Sequence, residues 1–187
     1  MCDNIKWNLH FRVTNKIAHW CDRVLIEARD IFDPEWLEEG RGAVPHISLV
    51  RFRSSREKAV IVLDSLKSLS LKRSASLYAH LGTIEIIGNA PDVYLSVRVE
   101  RTSQLNQLRA KSIGMINETG GCLCSFGASP FHLTLGRIKS DLKEFPNRLI
   151  ESIWQSSLEL AERPLISGLS LNQAGRFGQC FPDRDLA

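Results

Sequence analysis

The sequence predicts an α+β domain in which one strand–helix–strand unit occurs twice. The segments "PHISLVRF", from Pro45, and "FHLTLGRI", from Phe131, share the pattern His, apolar, Ser or Thr, Leu, any residue, Arg. Segments with strand alternation and helical spacing accompany each copy. With 187 residues the chain is long enough for one sizeable core. We therefore expect residues 1–187 to form a single domain of two related lobes, each with one copy of the motif.

The first half opens with a strand. "IKWNLHFRV", from Ile5, alternates apolar and polar residues, which indicates one buried face. Helical spacing follows from Thr14 until Pro34, and the acidic segment "DPEWLEEGRGAV" is interpreted as a loop into the first motif. Ser54 and Glu57 then resemble a capping box for a helix that reaches about Leu69. The polar face of the first strand is available either to line a groove or to meet solvent: Lys6, Asn8, His10 and Arg12.

The second half repeats this order. "LGTIEII" and "DVYLSVRVE" are predicted strands around the turn "GNAPD", and Tyr94 belongs to an alternating set with the same two interpretations. Thr102 or Ser103 begins a helix that ends at Gly120. After the second motif we expect a helix from about Pro146 and a strand near "LISGLSL".

The motif places chemically useful side chains on one face of each strand. Residues two apart on a strand point the same way, so His46 accompanies Ser48, and His132 accompanies Thr134. If the strands meet across a groove, one imidazole can accept a proton while the other donates one. Hydroxyl groups can hydrogen-bond non-bridging phosphate oxygens. This set favours phosphodiester cleavage without a metal; the alternative is that both histidines only form local hydrogen bonds at the edge of the core.

These paired motifs, eighty-six residues apart, resemble those of the two-histidine (2H) phosphoesterase superfamily, which includes LigT-like RNA 2′-5′ ligases and 2′,3′-cyclic phosphodiesterases. The resemblance implies a bilobal α+β fold in which two antiparallel sheets form a central groove flanked by helices. It makes His46 and His132 the catalytic acid and base, in an order that the motifs do not fix, and Ser48 and Thr134 the phosphate-binding residues.

The activity implied by the resemblance is metal-independent hydrolysis of a 2′,3′-cyclic phosphate or a 2′-5′ phosphodiester. The substrate would be an RNA end, an oligonucleotide or a cyclic nucleotide. One alternative is a module that binds a nucleotide or RNA phosphate in the same groove without turnover. Another is a metallohydrolase with a third ligand such as His10, but no Asp or Glu lies close to either motif, so no metal or cofactor is predicted.

Two further candidates have weaker signals. Phe126, in "GGCLCSFGASP", could stack on a base. Arg51 and Arg137 lie three residues after the hydroxyls, so strict alternation would turn them away from the groove, toward solvent or a salt bridge.

The composition argues against several other classes of protein. The net charge of +3 is far from the dense basic stripe of a non-specific nucleic-acid binder. No run approaches the roughly 18 apolar residues of a membrane span, and the start of the chain lacks a secretion signal. We expect a cytoplasmic protein with reduced cysteines and without a membrane or an obligate protein partner.

Overall fold

The computed structural model describes residues 5–39, 42–71, 80–89, 91–124, 130–142, 147–158, 160, 166–176 and 179–181. The strands are β1 (Ile5–Val13), β2 (His46–Ser54), β3 (Leu81–Asn89), β4 (Asp92–Val99), β5 (Cys122–Leu123), β6 (Phe131–Arg137) and β7 (Ile166–Gln173). The helices are α1 (Asn15–Glu27), α2 (Pro34–Glu39), α3 (Arg56–Leu71), α4 (Ser103–Glu118) and α5 (Asn147–Leu158), with a 3-10 turn at Arg29–Ile31.

The strands form one sheet made of two halves. Its order is β3-β4-β6-β2-β1-β7, with the short β5 paired to β2, and every pairing is antiparallel. The α+β fold with two lobes is therefore confirmed. The two antiparallel sheets implied by the resemblance are joined into one, because the motif strands β2 and β6 meet at the pair Ile47 and Leu133.

Both motif strands contain a β-bulge at the same motif position. Leu9 pairs with Val50 and His10 with Ser48, so Leu49 is an extra residue on β2. On β6, Leu95 pairs with Gly136 and Ser96 with Thr134, so Leu135 is extra in the same way. An extra residue shifts the alternation by one.

This shift overturns the face expected for the motif arginines. Arg51 and Arg137 lie five residues beyond their histidines, an odd separation that a regular strand would place on the opposite face. With one bulge in between, Arg51 returns to the face that carries His46 and Ser48.

A buried arginine from α4 supports the first bulge. Arg109 Nε donates to the carbonyl oxygen of the bulged Leu49 at 3.0 Å. Its guanidinium carbon lies 3.6 Å from the centroid of the Phe131 ring. This side chain thus ties α4 to both motif strands.

The helix boundaries follow local capping chemistry. Thr102 Oγ1 accepts the Leu105 N–H at 3.1 Å and begins α4, and Gly120, with φ +74°, follows its end. The segment after Pro34, expected to be a loop, forms α2 because Asp33 Oδ1 accepts the Trp36 N–H at 3.1 Å.

The core lies between the sheet and the helices. Its largest fully buried side chains include Phe11, Trp20, Phe32, Phe52 and Phe131. In the part of the chain that the structure describes, no helix has both the length and the apolar composition to cross a membrane.

Candidate active site

The two motifs open into one cavity of about 740 Å³. His46 and Ser48 from β2 line it together with His132 and Thr134 from β6. All four side chains are partly exposed. The geometry assembles the two imidazoles and two hydroxyls that the sequence places on equivalent strand positions.

Each histidine is oriented by a backbone carbonyl two residues earlier. His46 Nδ1 lies 3.0 Å from the Val44 oxygen, and His132 Nδ1 lies 3.1 Å from the Pro130 oxygen. A carbonyl only accepts hydrogen bonds, so both Nδ1 atoms carry a proton. In the neutral rings Nε2 is therefore the atom that can accept a proton.

Burial favours the neutral form of both imidazoles. Desolvation lowers the pKa of His46 to about 4, opposed by its hydrogen bond to the Val44 carbonyl. The pKa of His132 is lowered too, chiefly by desolvation, while the carboxylate of Glu85 acts to raise it. Arg51 contributes to the lowering at both histidines, so its charge acts on both sides of the cavity.

The other groove-lining candidates fall into separate groups. Tyr94 lines the cavity, whereas Asn8 and His10 are fully buried next to it. The described lining residues do not include Lys6 or Arg12, and Arg12 is exposed. Phe126 lies outside the described residues.

Asn8 contacts the first motif directly. Its Nδ2 atom lies 3.1 Å from His46 Nε2, 3.0 Å from Ser48 Oγ and 3.5 Å from Cys180 Sγ. Sequence periodicity assigns Asn8 to a polar face, but the contact depends on the register between β1 and β2 and could not be read from either strand alone.

His10 forms a second layer behind His46. The two ring centroids are 5.1 Å apart in an edge-to-face arrangement, and His10 Nδ1 lies 3.0 Å from the Asn8 oxygen. Burial lowers the pKa of His10 to about 3. In the described part of the structure no group of three or more His, Cys, Asp or Glu side chains is arranged to hold a metal ion.

The motif arginines have different surroundings. Arg51 lines the cavity and makes no ion pair with any described residue. Arg137 binds Asp33 at 3.2 Å and Asp92 at 3.3 Å, so its charge is neutralised. Among the described residues, the expected salt bridge is present for Arg137 and not for Arg51. Strict alternation turns Arg51 away from the cavity because nothing in the motif marks the bulge.

An apolar wall faces this polar centre. It comes from α1 and α2 and includes Leu25, Ile26, Trp36 and Leu37. Ile26 is 74% exposed although it is a large apolar residue. Helical spacing predicts α1 from the sequence, but that one edge of the helix borders the cavity follows only from the fold.

Comparison with known proteins reveals similarity in structure alone. Neither a family model nor a curated protein matches the sequence. A structure described as a phosphoesterase aligns over 98% of this chain and 96% of its own, with 12% identity and a TM-score of 0.52. Escherichia coli LigT complexed with 3′-AMP covers 95% of this chain and 92% of its own, with 14% identity and a TM-score of 0.51. Usb1 of Kluyveromyces marxianus with uridine monophosphate covers 91% and 94%, with 14% identity and a TM-score of 0.50.

These similarities establish the fold. They span nearly the whole chain, so the protein shares the fold of these three structures.

Proposed function

We propose that the protein is a phosphodiesterase that hydrolyses a 2′,3′-cyclic phosphate or a 2′-5′ phosphodiester in RNA or an oligonucleotide. The observation that carries this proposal is the convergence of His46, Ser48, His132 and Thr134 in one cavity. The shared fold with LigT and Usb1, whose structures contain 3′-AMP and uridine monophosphate, supports a nucleotide substrate.

The residues divide the reaction among them. One neutral imidazole takes the proton of the attacking water as its oxygen bonds to phosphorus, and the other, protonated, gives its proton to the departing ribose oxygen. Ser48 and Thr134 donate hydrogen bonds to the non-bridging oxygens. Arg51, which has no carboxylate partner among the described residues, supplies the positive charge that a phosphoryl transition state requires.

The apolar wall gives the cavity room for more than a phosphate. A nucleobase presents a flat apolar face, and Leu25, Ile26 and Trp36 offer such a surface beside the polar centre.

The test is hydrolysis of 2′,3′-cyclic AMP and of a 2′-5′-linked adenylate in EDTA by the parent, His46→Ala and His132→Ala. Each substitution removes one proton carrier, so we expect each to lose about 100- to 10,000-fold in kcat. His19→Ala, on the exposed face of α1, is the control for loss of an imidazole outside the cavity.

Other outcomes would replace the proposal. Full activity in either variant would remove the two-histidine mechanism, and inactivation by EDTA would contradict metal independence. Nucleotide binding without product would favour a phosphate-binding module.

A further inference from the structure

Next to the two bulges, a pair of equivalent positions carries unlike residues in the two lobes. Across the first bulge, Asn8 pairs with Arg51; across the second, Tyr94 pairs with Arg137. Tyr94 faces the cavity, whereas Asn8 is fully buried behind the first motif. The two repeated units therefore place different side chains beside their motif strands, an amide next to β2 and a phenol next to β6.

The side-chain amide of Asn8 contacts Nε2 of His46, the ring nitrogen that is not hydrogen-bonded to the backbone. Because Val44 accepts the Nδ1 proton, Nε2 of the neutral ring carries a lone pair, and Asn8 Nδ2 lies 3.1 Å from it. An amide NH₂ group only donates hydrogen bonds. The contact stabilises the unprotonated Nε2 and disfavours a proton there.

Among the described residues, His132 has no counterpart to this contact. Its Nδ1 is held by the Pro130 carbonyl in the same way, but no side chain of a described residue hydrogen-bonds its Nε2. The two imidazoles thus share an orientation and differ in what faces the reactive nitrogen.

We propose that Asn8 is a positioning residue that makes His46 the proton acceptor of the pair and leaves His132 as the proton donor. This assignment rests on the proposed function and deepens it, because it orders the two steps of proton transfer. Asn8 acts through His46 and does not itself contact the reacting phosphate.

The same amide orients Ser48. Its Nδ2 lies 3.0 Å from Ser48 Oγ, so the hydroxyl oxygen accepts one amide hydrogen and its own proton is left to donate to a phosphate oxygen. In the proposed reaction the attacking water takes the place of the amide at His46 Nε2, and the amide keeps its contact with Ser48 Oγ. The water then loses its proton to Nε2 as the new P–O bond forms, and the bond to the leaving ribose oxygen breaks as that oxygen takes the proton of His132.

The charged groups around the two histidines support the assignment of His46 as proton acceptor and His132 as proton donor. His46 is faced by titratable or charged groups from β1, β2 and β6: His10, Arg51 and His132. Cys180, from the C-terminal segment, contacts Asn8 and His10. His132 is faced by Arg51, Arg109 and Glu85, and the last of these favours its protonated form. Burial brings the pKa of His46 to about 4, and that of Cys180 is raised to about 12, so this thiol stays neutral.

Nitrogen-detected NMR of the imidazoles in the parent protein tests the assignment between pH 3 and 8. We expect His132 to gain a proton at Nε2 at a higher pH than His46, so that in an intermediate pH range His132 carries this proton and His46 does not. The reverse order would overturn the proposal. The NMR titration needs no turnover, so it tests the role of Asn8 even if no substrate is hydrolysed. Failure to hydrolyse either substrate would count against the proposed function and not against the role of Asn8.

Asn8→Asp places a carboxylate against His46 Nε2. We expect the pKa of His46 to rise by about one pH unit or more while that of His132 stays within the error of the titration. If a substrate is found, the acid-side limb of kcat/KM should move to higher pH by the same amount. Equal shifts in both histidines, or none in a folded variant, would refute the proposal.

Asn8→Ala is a second variant that tests the proposal if the buried carboxylate of Asn8→Asp prevents folding. It removes the donor without adding charge, and we expect a changed His46 Nε2 shift and a higher His46 pKa than in the parent. An unchanged His46 titration would show that Asn8 has no such role. Tyr94→Phe, at the equivalent position of the other lobe, is the control and should leave the His46 titration unchanged.

Discussion

At the scale of single residues, Arg51 and Arg137 show how one motif position acquires two roles. Both follow a bulged leucine and return to the face of the histidines. Arg137 is held between Asp33 and Asp92, whereas Arg51 faces the cavity without an ion pair to a described residue. Arg137 therefore forms a structural ion pair, whereas Arg51 is available to bind an anion.

Replacing each arginine by alanine should therefore affect different measurements. If the proposed function holds, we expect Arg51→Ala to lower kcat/KM by about 100-fold, because it removes a positive charge from the cavity that would bind the phosphate. The free energy of unfolding should change little. Arg137→Ala should lower the free energy of unfolding by about 1–3 kcal/mol, because Asp33 loses its partner in a half-buried site. Steady-state kinetics and urea denaturation of both variants make the comparison; an equal loss of stability in both would contradict it.

His10 links the buried layer to the acid stability of the fold. Its pKa is lowered from 6.5 to about 3 in the folded protein, so below pH 6.5 the unfolded chain binds a proton that the folded chain does not. The free energy of unfolding should then fall by about 1.4 kcal/mol per pH unit for this group as the pH drops from 6.5 toward 3.

Urea denaturation of His10→Gln as a function of pH checks this expectation. Glutamine keeps an amide donor for the Asn8 carbonyl but does not titrate, so the dependence on pH should become weaker by the contribution of one histidine. His19→Gln, on the exposed face of α1, is the control variant. An unchanged dependence in His10→Gln would show that the acid lability arises elsewhere.

At the scale of elements, the second bulge depends on a glycine. A Cβ atom on Gly136 would overlap the Phe32 ring, 2.7 Å from Cζ and closer still to Cδ1 and Cε1. Phe32 is fully buried, and the segment around it pairs with the end of β6 through the Asp33 N–H and the Arg137 oxygen at 2.8 Å. The ring has no room to withdraw without disturbing this pairing.

Gly136→Ala should accordingly destabilise the fold by about 1–3 kcal/mol through overpacking. Gly168→Ala, on β7, is the matched control, since nothing lies within 4 Å of the added Cβ. Thermal and urea unfolding of the two variants measure the difference in their stability. A Gly136→Ala protein as stable as the control would mean that Phe32 repacks easily.

Element by element, the sequence predicts what a strand or helix determines by itself. Alternation in β1 and the shared pattern of the motifs identify three strands, and Thr102 marks the start of α4. The bulges at Leu49 and Leu135 were missed, because an extra residue is defined only by the partner strand. The short α2 was missed because its start depends on one capping contact from Asp33.

At the scale of the whole molecule, the repeated pattern indicates the architecture, and pairing between distant strands determines the details of the cavity. His46, Ser48, His132 and Thr134 could be named in advance because their residue types repeat at fixed spacing. The contact of Asn8 with His46 could not, since it joins residues thirty-eight apart in sequence. Such contacts arise from register, which one strand does not encode alone.

The pair Ile47 and Leu133, which joins the two halves of the sheet, also has a mechanical consequence. Each residue directly follows a motif histidine, so both histidines lie next to this pair, which would be the fulcrum if one lobe rotated against the other. Rotation displaces distant points most and points near its axis least. Domain opening about this fulcrum would therefore widen the rim for an incoming nucleotide while the spacing of His46 and His132 changed little.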